Sequence, residues 1–422
     1  MKSRWLMRQI LTFISVVLLQ TIPGWMSLAH GSDLSVIVVA EKQSDRGIAL
    51  RLSRALLKRL AHSQDLKGID MTEALDPEVS QLRSQDLVDG LAAAKTGLAA
   101  LEQLDLEAAG GDLDLAVNLL LGYLDHLSRT EREVLDRAIF ALSTVSMFEG
   151  NTETAESIFV ALALLSPSYS PEVDGYATNV TKRYGELKAG LGKRPSGSVE
   201  VISVPAGATV FVDGTYRGVS PLKVDDLVDG QHVVLLERVG FISHGTLTPV
   251  NAGRNSRIEV DLGPSKATDI LKGIEAELAD KEESALSLGK KAGVKKLLAL
   301  MLRTNESKTT VFGQWLDIEN NKLLARIPET PVVKEPDIGA TQILSALAVE
   351  IDPFANGIAA GAEEATTSEP WIQINWKELP QKWWFWAAVA GTVSAAAIGT
   401  SIALSGDEGL SLPKSNQHIL GF

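Results

Sequence analysis

The segment from Gly197 to Leu262 constrains the fold most, because its sequence pattern switches to a period of two, the period of β-strands. Val210 and Val212 continue this alternation up to the pair Asp213-Gly214. An Asp-Gly pair between alternating apolar residues predicts a tight hairpin, because such turns need a positive φ angle. Turns this dense suit about five to seven short strands, enough for one small β-sandwich. The other predicted turn residues are Pro205, Gly207, Ala208, Gly218, Pro221, Gly230 and Gly240.

The same residues resemble the PEGA domain, a family named for a Pro-Glu-Gly-Ala phrase that here reads Pro205-Ala206-Gly207-Ala208. The resemblance also includes Val212-Asp213-Gly214, Gly218 with Ser220-Pro221, Leu227 with Gly230 and His232-Val233, and Gly240-Phe241. Ala206 stands for the family's glutamate and Phe241 for a tyrosine, and neither departure touches a turn glycine. The resemblance implies a small β-sandwich on an exported or surface-associated bacterial protein, often beside helical repeats and a membrane anchor. It implies no general enzymatic activity.

These turn residues are interpreted as structural. Asp213 is expected to form a turn and to cap its own backbone. His232, at the start of a strand, is expected to be structural rather than a metal ligand. A calcium site is the alternative, but the aspartates here do not follow the D-x-D-x-D-G spacing of calcium loops. The aspartates concerned are Asp213, Asp225, Asp226 and Asp229.

Residues 84–188 follow a helical pattern in which two phrases can be aligned. In 110–127 and in 149–167 a glycine, Gly111 or Gly150, precedes an alanine by five residues, and a large apolar residue follows. This spacing suits stacked helical hairpins. The second phrase resembles a tetratricopeptide repeat, which implies a concave surface that binds protein. A helical bundle that acts only as a spacer is the alternative.

Two further segments predict a small α/β structure. Residues 33–75 predict a buried strand followed by an amphipathic helix. Residues 264–350 predict a helical stretch and three strands, and the phrase around Asn320-Asn321 resembles periplasmic α/β domains of envelope-assembly proteins. The strands are expected at 294–303, 310–318 and 322–327, with a helix near 340–349. Residues 189–196 are expected to be a linker, and the acidic, proline-rich residues 351–382 a tether.

Two apolar segments predict the cellular location of the chain and its attachment to a membrane. Residues 1–29 have the basic start, apolar run and small-residue cleavage site of a secretory signal peptide; an uncleaved anchor is the alternative. Residues 383–404 lack charge and begin with tryptophans, which predicts a transmembrane helix rather than a buried one, with 405–422 as a short tail. Small residues at every fourth position give this helix a face for self-association or docking. They are Ala387, Gly391, Ala395 and Gly399.

Charge and motifs exclude several classes of function. The net charge of −13 repels nucleic acid, and no basic stripe compensates for it. Without cysteine there is no disulfide and no thiol nucleophile. Gly190 to Lys193 lack the strand and helix that flank a phosphate loop, and the scattered histidines form no zinc motif. We therefore predict no enzymatic activity and no cofactor.

Together these features predict a multidomain α+β protein. Its parts are a helical, tetratricopeptide-like region, a small PEGA-type β-sandwich, a small α/β region and a single C-terminal transmembrane helix. The expected function is that of a non-enzymatic, membrane-anchored scaffold for other envelope proteins in the bacterial periplasm. A search for its protein partners would test this expectation. The alternative is a module that binds cell-wall or surface polysaccharide through the sandwich.

Overall fold

The structure is a computed structural model that describes residues 34–63, 66–171, 176–305 and 308–351. It begins with strand β1 (Leu34–Ala40) and helix α1 (Arg46–Ser63). Every fourth residue of α1 from Ile48 is apolar and buried, which gives the helix a stripe that packs on the strand.

A helical region follows. Its main helices are α2 (Met71–Leu75), α3 (Pro77–Glu102), α4 (Leu106–Leu121), α5 (Arg129–Phe148), α6 (Thr152–Leu165) and α7 (Thr178–Gly190). Side-chain caps set several starts: the Asp76 carboxylate accepts from a first-turn amide of α3, and Ser128 forms a capping box with Glu131 at α5. The cap residues therefore fix where these helices begin.

Close packing of α3 on α4 depends on glycine. A Cβ added at Gly97 would lie 2.8 Å from Leu113 Cγ, and one at Gly90 would lie 3.1 Å from Leu120. The predicted repeat matches this packing only in part. Gly150 lies between α5 and α6 with φ +84°, but Gly111, expected at a turn, lies inside α4. The turn before α4 is set instead by the Asp105 cap, so tetratricopeptide-like repeats are not confirmed.

The β-rich region consists of seven strands between residues 196 and 261, all of them described. They are β2 (Ser196–Val204), β3 (Thr209–Val212), β4 (Thr215–Val219), β5 (Leu222–Val228), β6 (Gly230–Glu237), β7 (His244–Val250) and β8 (Asn255–Asp261). One sheet has the order β5-β2-β8 and the other β4-β3-β6-β7. Their inward-facing residues, mostly valine and leucine, form a shared core that includes Val201, Val212 and Val234.

The expected linker at 189–196 is short in the structure. Helix α7 reaches Gly190, a 3₁₀ turn spans Leu191–Lys193, and β2 begins at Ser196. The Arg194 guanidinium donates to the backbone carbonyl of Asp229 at 2.9 Å and to its carboxylate at 3.2 Å. The helical region thus continues almost directly into the sandwich.

The last described part returns to β1. It contains α8 (Lys266–Leu271), α9 (Glu282–Ala292), β9 (Lys296–Asn305), β10 (Lys308–Asp317), β11 (Lys322–Pro331) and α10 (Pro336–Ile351). These strands form a sheet in the order β1-β9-β10-β11, with β1 parallel to β9 and the other pairs antiparallel. Strand β1, from the N-terminal segment, and strands β9 to β11, from the last described segment, therefore share one sheet.

Both faces of this sheet are covered. Val36 and Leu298 point toward α1 and α10, whereas Ile37 and Leu297 point toward α2, α8 and α9. A strand buried on both faces needs apolar residues at successive positions, and this explains the unbroken run 36–39 in β1. The helical region and the sandwich are inserted between the two halves of this α/β layer.

The outer face of the sheet β4-β3-β6-β7 packs on the helical region. Phe211, Val233 and Leu235 are buried in the same cluster as residues of α4, α5 and α6. Two glycines permit the contact: a Cβ at Gly230 would lie 2.8 Å from Val160 of α6, and one at Gly245 would overlap the carbonyl of Leu121 of α4. The sandwich is therefore built into the rest of this part of the chain.

One element of the predicted fold class needs correction. No described helix is long and apolar enough to cross a membrane. The longest ones, α1, α3 and α5, each carry at least five charged residues. The predicted transmembrane helix is therefore not supported, and the described fold is α+β with a helical N-terminal region and a β-rich region. Other predictions lie outside the described residues: the signal peptide 1–29, residues 352–382 of the tether, the segment 383–404 with Ala387, Gly391, Ala395 and Gly399, and the tail 405–422.

Candidate functional site

The predicted turn residues lie at the ends of the sandwich strands. All five predicted glycines have positive φ, as the tight turns require. They are Gly207 (+96°), Gly214 (+71°), Gly218 (+152°), Gly230 (+142°) and Gly240 (+87°). Pro205 and Pro221 both follow cis peptide bonds, and Ala208 is fully buried. Hydrogen bonds join the segment 205–208 to the turn at Ser220-Pro221. The Gly207 amide donates to the Ser220 carbonyl at 2.9 Å, and the Ala208 amide donates to the Ser220 hydroxyl at 3.0 Å.

Asp213 binds across the sheet instead of capping its own backbone. Its Oδ1 accepts from the Val233 amide at 3.0 Å, and its Oδ2 lies 2.6 Å from Nδ1 of His232. Nε2 of His232 lies 2.7 Å from the Val228 carbonyl. Because an acceptor faces each ring nitrogen, both nitrogens carry a proton and the imidazole is charged. Burial is the largest single effect and opposes this charge, but the hydrogen bond to Asp213, the charge of Asp213 and the bond to the Val228 carbonyl together outweigh it and raise the pKa of His232.

Some sandwich glycines also permit contacts with other regions. Gly207 packs against the start of α1, where a Cβ would lie 2.8 Å from Nη1 of Arg46. Gly240 packs against α8, where a Cβ would lie 3.1 Å from Oγ1 of Thr268. Turn formation alone therefore does not account for these glycines, because they also let the sandwich lie close to its neighbours.

A buried polar cluster joins the three regions and was missed from the sequence. The guanidinium of Arg54 in α1 donates to both carboxylate oxygens of Glu237 at the end of β6, at 2.6 and 2.8 Å. It also donates to Asp125, which follows α4, at 2.9 Å. The Glu237 side chain is only 4% exposed, so its charge depends on this bidentate partner.

Ion pairs extend the cluster into the helical region. Glu73 of α2 pairs with Arg83 of α3, and Arg83 lies 3.1 Å from Nδ1 of His126. Since arginine only donates, Nδ1 of His126 is the acceptor and the ring is neutral. Burial raises the pKa of Glu73 to about 7, against the opposing charge of Arg83. Burial and the charge of Arg54 lower the pKa of His126.

An open groove of about 1090 Å³ lies beside this cluster, between α1 and α3. Its charged walls carry both signs. The basic residues are Arg54, Lys58, Lys67 and Arg83, and the acidic ones are Asp70, Glu73, Asp125 and Glu131. Apolar residues, among them Leu57, Ile69 and Leu87, line the rest of the groove. A groove with such walls suits a polar, extended segment better than an apolar small molecule.

The aromatic residues of the sandwich are engaged in internal contacts. Phe211 is buried among the helices, and its ring lies 5.9 Å from that of Tyr216. The guanidinium of Arg51 lies 4.8 Å from the Tyr216 ring centre, and that of Arg238 lies 4.7 Å from the Phe241 ring centre. These three rings therefore form no free stacking platform.

The described residues hold no group of three or more His, Asp or Glu side chains that could bind a metal ion. Asp213 is bonded to His232, Asp225 pairs with Lys223 at 2.7 Å, and Asp229 binds Arg194. The aspartates weighed as a calcium site thus have separate protein partners or, like Asp226, are exposed.

No local signal marks the Arg54 cluster, because its members lie far apart in the sequence. The nearest hint is Glu237, a charged residue directly after the apolar run of β6. Its partner Arg54 is 183 residues away, and a single sequence offers no way to pair them.

Comparison with known proteins identifies one part of the chain. Residues 196–266 match the PEGA domain family, slightly beyond the segment 197–262 that the sequence indicated. No curated protein matches the chain. No solved structure matches it either. The β-rich region that packs on the helices is therefore a PEGA domain.

Proposed function

We propose that this chain is a non-enzymatic scaffold, working outside the cytoplasm, that holds a partner protein in the groove between α1 and α3. PEGA domains are typically extracellular or periplasmic, which fits this location. The observation that carries the proposal is the groove itself: about 1090 Å³, open, and lined by charges of both signs. Charges arranged in this way favour one register of a complementary polar segment and disfavour others.

The cluster beneath the groove supports this role. Arg54 contacts Glu237 and Asp125 with three hydrogen bonds, and it is a groove-lining residue at the same time. Its side chain is 25% exposed, so one face remains open to the groove. A groove whose wall is held by buried ion pairs is preorganised, which lowers the entropic cost of binding.

The alternative is a polysaccharide-binding module in the PEGA domain. Sugar binding favours exposed aromatic rings, but Phe211, Tyr216 and Phe241 pack internally or beneath arginines. The outer face of one sheet is covered by α4 and α6. These contacts favour the protein scaffold over the polysaccharide module.

The test combines affinity capture from envelope extracts with sedimentation on purified peptidoglycan. We expect the full chain to capture a protein, the Lys58→Glu variant to lose it, and the Lys223→Glu variant to keep it. Lys58 lines the groove, whereas Lys223 is exposed on β5 of the sandwich. Equal capture by both variants would contradict the groove proposal. Sedimentation of the full chain with peptidoglycan but without protein capture would favour the polysaccharide alternative.

A further inference from the structure

A second cavity, of about 440 Å³, lies where the α/β layer meets the PEGA domain. One wall consists of the carboxyl end of β1 and the first turn of α1. The opposite wall consists of Pro205, Gly207 and the residues after β6, and the end of α8 forms a third side. This volume falls in the ~300–1,000 Å³ range of small-molecule sites. Ligands of α/β sheets commonly bind beyond the carboxyl ends of the strands, and this cavity lies at such an end of β1.

The charge of the cavity is opposite to that of the chain. Arg46, Arg238 and Lys272 line it, against the single acid Glu275, whereas the whole chain has a net charge of −13. None of these three cations forms an ion pair with a carboxylate within the described part of the chain. Arg46 and Arg238 are partly buried, whereas Lys272 is exposed at the rim. Partly buried cations without a counter-ion are costly, so the two guanidiniums around one space indicate a site for an anion.

Two of the cations contact the PEGA domain. The Arg46 side chain packs against Gly207, where any side chain would collide with its Nη1 atom. Nη1 of Arg238 donates to the Ala206 carbonyl at 2.8 Å, and the guanidinium stacks over Phe241. Burial and the positive charge of Arg46 both lower the pKa of Arg238. The two guanidiniums therefore repel each other, and an anion between them would relieve that repulsion.

Most of the remaining lining is apolar, with Thr209 and Thr268 as the polar exceptions. Val39, Leu50 and Leu271 contribute aliphatic side chains, and Phe241 contributes its ring. A fully hydrated inorganic anion would leave these surfaces uncovered, whereas an organic anion would cover them. The cavity thus combines a cationic region with an apolar surface.

We propose that this cavity binds a small organic anion whose apolar body packs against Leu50, Leu271 and Phe241 and whose acid group lies between Arg46 and Arg238. An aliphatic carboxylate has both parts. The site is independent of the α1–α3 groove, because the two cavities share no lining residue.

Isothermal titration calorimetry with octanoate tests the proposal on the full chain. We expect octanoate to bind at one site and the neutral octan-1-ol to bind at least about tenfold more weakly, because only the carboxylate can engage both guanidiniums. The Arg46→Gln variant should lose about tenfold in affinity. The Glu275→Gln variant should bind more tightly, because it removes a like charge.

Arg257→Gln is the matched control, since Arg257 is an exposed arginine on β8 outside the cavity. This variant should bind octanoate with the affinity of the unchanged chain. Val39→Trp should abolish binding by filling the cavity while every charge is kept. Because Glu275→Gln is expected to gain affinity, loss of folding cannot imitate the result. No binding of octanoate, equal binding of octan-1-ol, or unchanged affinity in both Arg46→Gln and Glu275→Gln would overturn the proposal.

Discussion

The pair Asp213 and His232 allows a sharp test of how the PEGA domain is held together. The two side chains are 9% and 2% exposed, and each imidazole nitrogen faces an acceptor. Replacing Asp213 by asparagine keeps an acceptor for the Val233 amide but removes the charge. The imidazole can then become neutral, keep its Nε2–H bond to Val228 and accept at Nδ1 from the new amide.

The size of the effect depends on pH. A charge-assisted hydrogen bond contributes about 1.5–3 kcal/mol, so Asp213→Asn should lower the free energy of unfolding by about that much at pH 6. The raised pKa of His232 means that its protonated form stabilises the fold fully below its unfolded pKa of about 6.5. This contribution is lost as pH rises through the folded pKa. The difference between the unchanged chain and the variant should therefore shrink at high pH.

The assay is urea unfolding monitored by circular dichroism at about eight pH values between pH 5.5 and 9. In parallel, NMR follows the titration of the His232 ring. Asp226→Asn is the matched control, because Asp226 is exposed and has a φ of +59°, close to the +50° of Asp213. The control should leave the pH profile unchanged. Parallel profiles for the unchanged chain and Asp213→Asn, or a His232 that titrates at or below pH 6.5, would refute the reasoning.

Three further substitutions test other contacts, and Gly253→Ala serves as the control for the first of them. Gly230→Ala should lower the melting temperature markedly, because φ is +142° and the new Cβ would meet α6. Gly253→Ala, at +68° in open space, should cost only the left-handed backbone strain of about 1–2 kcal/mol. Arg54→Met should lower the free energy of urea unfolding by about 3–5 kcal/mol, because Glu237 would be left buried and charged; a loss below about 1 kcal/mol would contradict that. Since the folded pKa of Glu73 is about 7, stability should fall as pH rises from 4.5 to 7, and Glu73→Gln should flatten this slope in the same assay.

The parts of the fold that rest on local signals could be predicted from the sequence. The alternation up to Asp213-Gly214 indicated the hairpin of β3 and β4, and the glycines lie at turns with positive φ. The phrase 322–327 indicated β11, and Asn321 in the preceding turn has a φ of +50°. In each case the turn chemistry lies within a few residues of the strands it connects.

The parts that depend on distant contacts could not be predicted. Strand β1 pairs with β9 across 262 residues, as the partners Leu34 and Lys296 show, and no local pattern encodes that pairing. Gly230 and Gly245 have a second role, which only the helices packed on them reveal. Gly111 was assigned to a turn because glycine is typical of turns, but the Asp105 cap starts that helix earlier.

The groove site shows the same limit. Arg54 and Glu73 lie on helices whose polar residues look solvated from the sequence alone. Their partners Glu237 and Arg83 are supplied by β6 and α3, so the buried cluster exists only once the three regions pack together. A charged residue that ends a buried strand, as Glu237 ends β6, is the one signal worth examining in a similar chain.

Site-specific photocrosslinking in intact cells tests most directly the proposal that a partner protein occupies the groove between α1 and α3. A photoreactive residue at Ser84, exposed beside the groove, should give one discrete crosslinked product, and the same residue at Lys223 should give none. Products of equal yield at both positions, or no product at Ser84, would contradict the account.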